Sequence, residues 1–218
     1  MKKLSLEKIL TYIKVSLPWY TSIPVLLFSV MFPAIFGCDT YQDIGIMLDK
    51  SFSIIAVITF SNVWYIELQQ KTAEVYKLLP RRSRINDILK RIVVKLLFLT
   101  VMICLCFISY SIKGIHVYDS QNAGAMCIQA ILSIEAVMIL FGAISFFIVN
   151  LSSNLGVGIG SGIFVWMIMI STALSKTTAW FNFFAYGVRD DWFKGAITAV
   201  IVGTVLFIAG TIVVDKNK

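Results

Sequence analysis

The sequence predicts an all-α polytopic membrane protein: six transmembrane helices preceded by an N-terminal amphipathic interfacial helix, with both termini cytoplasmic. Three observations predict it. The first is composition. Of 218 residues, 58% are hydrophobic and 14% charged, with a mean hydropathy of +0.85. Soluble domains carry about 25% charged residues, and a soluble fold of this size has too much surface to hide so much apolar weight. The second is run length: six segments approach the roughly 20 apolar residues that cross a hydrocarbon core as a helix. The third is charge asymmetry, developed below. Repeats, low-complexity stretches and Pro/Gly/Ser linkers do not occur in the chain, so 1–218 is read as a single integral membrane domain.

The first element, "MKKLSLEKILTYIKVSL", places Leu6, Ile9, Leu10, Ile13 and Leu17 on one helical face, with Lys2, Lys3, Lys8 and Lys14 mostly opposite. That pattern predicts an interfacial elbow helix over 1–17, lying along the inner leaflet. Lys8 and Lys14 interrupt any signal-peptide core, and no small-residue cleavage site follows. The expected spans are 18–37, 51–68, 92–112, 124–150, 157–174 and 194–214. Pro18 opens the first span; Pro24 and Pro33 lie inside it, each removing a backbone donor.

Between the second and third spans runs "QQKTAEVYKLLPRRSRINDILKRIVVK", Gln69 to Lys95, with eight of the chain's 19 cations. The N-terminal segment, this stretch and the C-terminal tail together hold 14 Lys and Arg. The other connections hold 5, namely Lys50, Lys113, Lys176, Arg189 and Lys194. Positive residues concentrate on the cytoplasmic side, so the basic stretch and both termini are placed there. Asp39, Asp43, Asp49, Asp119, Asp190 and Asp191 then fall outside. A nucleic-acid patch is disfavoured, because the run lacks interleaved aromatics and would compete with adjacent anionic lipid.

Within the spans a few polar residues stand out. Glu135 sits near the middle of the fourth, where inserting a carboxylate costs about 2.5–3.5 kcal/mol. It reads either as a pathway or subunit-contact residue, with Gln129 on the same helix, or as a neutral acid hydrogen-bonded between helices. Asn62 in the second span reads as interhelical glue. "GVGIGSG", Gly156 to Gly162, is neither a dinucleotide fingerprint nor a Walker loop. It contains two G-x-x-x-G pairs, Gly156/Gly160 and Gly158/Gly162, which let helices approach closely. "WFNFFAYGVRDDW", Trp180 to Trp192, reads as an aromatic belt or as a short external helix capping a pathway.

Enzyme signatures do not appear. His116 is the single histidine, so a metal site needing two is excluded, and Ser161 has no later histidine to act as its base. The four cysteines form no C-x-x-C. Cys38 and Cys127 both fall near the predicted outer face and could pair, although buried free thiols are the commoner arrangement.

From Glu67 the chain reads "ELQQKTAEVYKLLPRRSR". This resembles the cytoplasmic segment of the ABC-type-2 exporter permeases, in which a Glu ending the second helix precedes a G-T-x-E-x-L-L-x-x-P-x-x-R type pattern. Glu67, Thr72, Glu74, Leu78, Leu79, Pro80 and Arg84 match, with Lys90 or Lys95 as the following basic residue. Lys71 stands where the family has Gly. The resemblance implies that about 69–91 forms a coupling segment docking on a separate ATPase subunit. On that reading Tyr76, Leu78, Leu79 and Pro80 are the docking knobs, and Arg81, Arg82 and Arg84 meet acidic groups on the ATPase or anionic lipid. It further implies no cofactor on this chain, with ATP and Mg on the partner ATPase, and a second permease copy or paralogue beside it. The helix expected from Glu67 ends at Leu79, before Pro80; a second, Ile85 to Lys95, feeds the third span. The alternatives are an ATP-independent secondary transporter or channel, and a membrane scaffold or sensor.

Overall fold

Why the bundle takes its shape is visible first in its helix ends. Thr40 caps the second long helix: its Oγ1 accepts from the Asp43 backbone N–H (3.1 Å), the N-cap half of a capping box, and donates to the Asp43 carboxylate (2.7 Å). The computed structural model describes residues 12–38, 40–69, 78, 80–112, 123–171 and 178–216. Among these it contains no strand. A helical turn over 12–16 precedes α1 (Trp19–Ile35), α2 (Tyr41–Gln69), α3 (Arg81–Ile112), α4 (Ala123–Ser152), α5 (Leu155–Ile170) and α6 (Trp192–Lys216). A 3₁₀ turn, Ala179–Phe181, lies between α5 and α6.

Each of the six expected segments coincides with one of these helices. Among the described residues, four helices are long and apolar enough to cross a membrane, over Tyr41–Tyr65, Arg81–Ile112, Gly124–Ser152 and Trp192–Asp215. The chain is therefore an all-helical protein of membrane-spanning character. α1 and α5 are apolar but shorter, at 17 and 16 residues, about 25 Å each at 1.5 Å per residue.

Two boundaries differ from expectation. α2 begins at Tyr41 rather than near residue 51, because the Thr40 cap starts it a full ten residues earlier. Asp43, Asp49 and Lys50, assigned to an outer connection, are thus helical. α3 begins at Arg81 and runs unbroken through the expected second cytoplasmic helix into the third span. Pro80 fixes its start, its carbonyl accepting from the Ser83 and Arg84 N–H groups.

The helices alternate in direction, giving the bundle two ends. One end, called basic here, gathers the helical turn 12–16, Glu67, the first turns of α3 and Asp215. The other, aromatic, end gathers Tyr41, Tyr110, Met126 and the stretch 178–192. α4 is central, packed chiefly between α2 and α6 and also touching α5; α1 lies against α3. Between α2, α4 and α6 the core is aromatic, with Phe60 and Phe146 closed to solvent and the Phe207 ring tilted against both (5.4 and 5.7 Å between centroids).

Lipid supplies no hydrophobic force between helices, so close packing and internal polar bonds must hold the bundle. Gly158 and Gly162 serve the first need. A methyl group at either would collide with Val149 or Val57, so α5 lies tight on α4 and α2. Gly160 faces open space and Gly156 touches only its own cap, Asn154, so one of the two G-x-x-x-G pairs is used inside this chain. The prolines of α1 show the second need. Pro33 cannot donate to the Ser29 carbonyl one turn back, and the Cys106 thiol of α3 donates there instead (3.4 Å).

Candidate functional site

α2 ends, and α3 begins, with charged groups turned inward. Along α2, Thr59, Val63 and Glu67 recur every fourth residue; along α3, Arg91 and Lys95 do the same. Helical neighbours at that spacing stack on one face, so the two faces meet as a polar ladder. Arg91 donates from Nη2 to Glu67 Oε1 (2.9 Å) and lies 3.1 Å from Asp87 Oδ2 through Nε. Its Nη1 reaches the Val63 carbonyl at 3.5 Å. One turn deeper, Lys95 Nζ donates to the Thr59 carbonyl (2.6 Å). Arg91, Lys95 and Glu67 are all buried, at 6%, 2% and 9% exposure. A buried cation needs such partners, since truncating one of them strands a charge in a poorly polarisable interior.

The ladder is braced from two further elements. Tyr12, in the N-terminal helical turn, donates its hydroxyl to the Asp87 carbonyl (2.9 Å). Burial, reinforced by the nearby Asp87 carboxylate, pushes this phenol up to about 12. Asp215, at the end of α6, takes Arg81 Nε on one oxygen (2.6 Å) and Arg84 Nη2 on the other (2.9 Å). Three arginines and no acid in the first turn of α3 oppose the helix dipole. The Asp215 carboxylate supplies the missing negative charge there.

The residues proposed from sequence are distributed as follows. Glu67 and Arg84 point to partners within the chain, and Arg81, expected with Arg82 and Arg84 to meet acids on the ATPase or anionic lipid, contacts Asp215 while remaining 65% exposed. Leu78 is 84% exposed and Pro80 is exposed. Thr72, Glu74, Tyr76 and Leu79, with the expected helix end there, lie outside the described residues. Glu135 accepts the Thr100 hydroxyl of α3 (2.7 Å), so it joins two helices. Gln129 does not accompany it: six residues earlier on α4, it is exposed and lines a different site. Asn62 is corrected too, because its amide turns back to the Ile58 carbonyl of its own helix (3.5 Å). Cys38, Cys104, Cys106 and Cys127 are all free thiols, and Cys38 sits 3.6 Å from the Tyr110 hydroxyl.

Two buried groups escaped the sequence reading. Lys95 was counted with the cytoplasmic cations and is instead inside the α2–α3 contact. Asp49, expected outside, is 2% exposed between α2 and α4. Ser133 donates to its Oδ2 at 3.4 Å, while its Oδ1 has no hydrogen-bond partner among the described residues. Above it, at the aromatic end, the Tyr186 ring packs over Gly45 and its hydroxyl donates to the Met126 carbonyl (3.0 Å); burial pushes this phenol up to about 12. Gly187 turns the chain at a left-handed φ of 71°, presenting its carbonyl to the Gln42 amide (2.9 Å). Gln42, Gln129, Tyr186 and Trp192 border an open pocket of about 330 Å³. The aromatic stretch therefore packs onto this end of the bundle, Phe183 and Tyr186 inward, Trp180 and Phe181 outward.

Among the described residues no group of three His, Cys, Asp or Glu is placed to hold a metal ion. Comparisons of the chain with protein-family models, curated proteins and solved structures return no match.

Proposed function

We propose that the chain is the transmembrane permease subunit of an ABC exporter. It would move a peptide, bacteriocin, drug or lipid across the cytoplasmic membrane using ATP hydrolysed by a separate subunit. The six helices would be six spans, with both termini and the basic end cytoplasmic, and a second copy or paralogue would complete the pathway.

The observation that carries this reading is the mounting of the 70–80 connection. It leaves α2 three residues after Glu67 and enters α3 at Arg81. Glu67 is fastened to α3 through buried Arg91, while Arg81 and Arg84 are fastened to α6 through Asp215. A force on this connection would therefore move α2, α3 and α6 together, as an ATPase coupling element requires. Nucleotide can drive such a movement only through its different affinities for two conformations. The match of Thr72, Glu74, Leu78, Leu79, Pro80 and Arg84 to the exporter-permease pattern adds support. So does the gathering of Arg82, Lys90 and Lys14 at the same end, as the positive-inside rule demands.

The experiment is affinity purification of the full chain from its native membrane. A Walker-motif ATPase should co-purify, with ATP hydrolysis that falls sharply in Leu79→Ala and Pro80→Ala. Recovery of a folded chain with no ATPase would overturn the reading.

A second reading, an ATP-independent secondary transporter, is favoured by one observation: Asp49, Lys95 and Glu135 all lie within candidate spans. Intramembrane ionisable groups commonly mark ion-coupled pathways. Transport that persists without ATP and collapses with the ion gradient would select it.

A further inference from the structure

The outer face of α3 grades from charged to apolar along its length. Arg82 and Asn86 are exposed in its first turns. Leu89, Val93, Leu97 and Val101 follow at 43%, 52%, 60% and 54% exposure. Their spacings of three and four residues align them on one stripe of the helix. At its head is a pocket of about 480 Å³ floored by Ile85 and Leu89 and rimmed by Arg81, Arg82 and Asn86. Arg81 and Arg84 are committed to Asp215, whereas Arg82 is left facing outward.

We propose that this groove is a binding site for an anionic phospholipid of the leaflet at the basic end. Arg82 and the Asn86 amide would hold the headgroup phosphate, and an acyl chain would run along the stripe from Leu89 to Leu97. Three features select a lipid over a protein partner or a free anion. The cation is placed where a negative headgroup sits beside the helix, a position at which each cation gains from anionic lipid. The floor beneath it is apolar, which suits an amphiphile and not inorganic phosphate. The span from Arg82 to Leu97 is about 22 Å at 1.5 Å per residue, close to the roughly 20–22 Å half-thickness of a bilayer with its headgroups. The inference stands whether or not the chain couples to an ATPase.

The test uses the full chain in nanodiscs containing phosphatidylglycerol and phosphatidylcholine of identical acyl chains, with retained lipid measured by native mass spectrometry. Wild type should retain phosphatidylglycerol preferentially. Arg82→Gln should reduce that preference about fivefold, the effect of one cation near an anionic surface. Lys14→Gln, which removes an exposed cation at the same end but outside the groove, should reduce it distinctly less. Equal losses in the two variants would show diffuse attraction and overturn the site, as would no loss in Arg82→Gln. Glycerol phosphate in solution should not displace the lipid; displacement would mean an anion site rather than a lipid groove. A photoreactive benzophenone residue at Leu89 in native membranes gives a readout independent of Arg82. It should acquire a phospholipid adduct, and capture of a protein there would overturn the proposal.

Discussion

Replacing Glu67 with Gln keeps the shape of the α2–α3 contact but removes the negative charge that Arg91 faces. Arg91 is 6% exposed and Glu67 9%, so water does little to soften the change. Breaking a buried pair by removing one partner costs about 3–5 kcal/mol when the survivor has nothing else. Here Arg91 keeps the Asp87 carboxylate at 3.1 Å and the Val63 carbonyl at 3.5 Å, and the Gln oxygen can still accept one hydrogen bond. The expected cost is accordingly about 2 kcal/mol. The companion change Arg91→Met takes the guanidinium away from both Glu67 and Asp87 and should cost at least as much. The double variant removes both members of the Glu67–Arg91 pair, leaving only Asp87 without the Arg91 guanidinium, and should recover part of both losses. SDS titration in mixed micelles, read as a double-mutant cycle, isolates the coupling. A Glu67→Gln variant within about 0.5 kcal/mol of wild type, or strictly additive singles, would refute the pairing.

Other expectations follow from single contacts. Gly195→Ala should cost well over 1 kcal/mol, because a methyl group there meets the Asn182 backbone carbonyl, which has no rotamer to escape into. Gly160→Ala, facing open space, should instead stabilise α5 by up to about 1 kcal/mol; thermal unfolding of the pair compares them directly. Asp49→Asn should leave stability within about 1 kcal/mol of wild type, since the carboxylate has only one long bond to Ser133 to lose. A penalty above about 2 kcal/mol in the same unfolding assay would mean that the carboxylate has a partner. Tyr12, raised from its ordinary value to about 12, favours folding while neutral. That contribution is complete below pH 10 and lost as pH rises through 12. Alkaline denaturation should therefore lose one component in Tyr12→Phe.

Much of the bundle was legible in the chain because lipid imposes a simple rule of length and polarity. Six apolar runs became six helices at the expected places. The rule failed at Asp49 and Lys50, where two charges were taken as the edge of a span. Thr40 and Asp43, spaced as a capping box, were the local signal that α2 starts earlier. At the site, the resemblance pointed to Glu67 and Arg84 but not to their partners within the chain. Their partners lie 24 and 131 residues away, beyond any local periodicity. The four-residue recurrence of Arg91 and Lys95 opposite Thr59, Val63 and Glu67 could have hinted at the ladder. Glu135 was paired with Gln129 because both stand on one helix; an offset of six residues turns them to different faces, and Thr100 of α3 is the actual partner.

The central claim is that the connection between α2 and α3 is a handle for a separate ATPase. Leu78, 84% exposed within it, is the place to ask. A photoreactive residue at position 78, illuminated in native membranes, should form an adduct with a Walker-motif subunit, and the yield should change with bound nucleotide. Adducts with lipid alone, or none while the protein remains folded, would contradict the account.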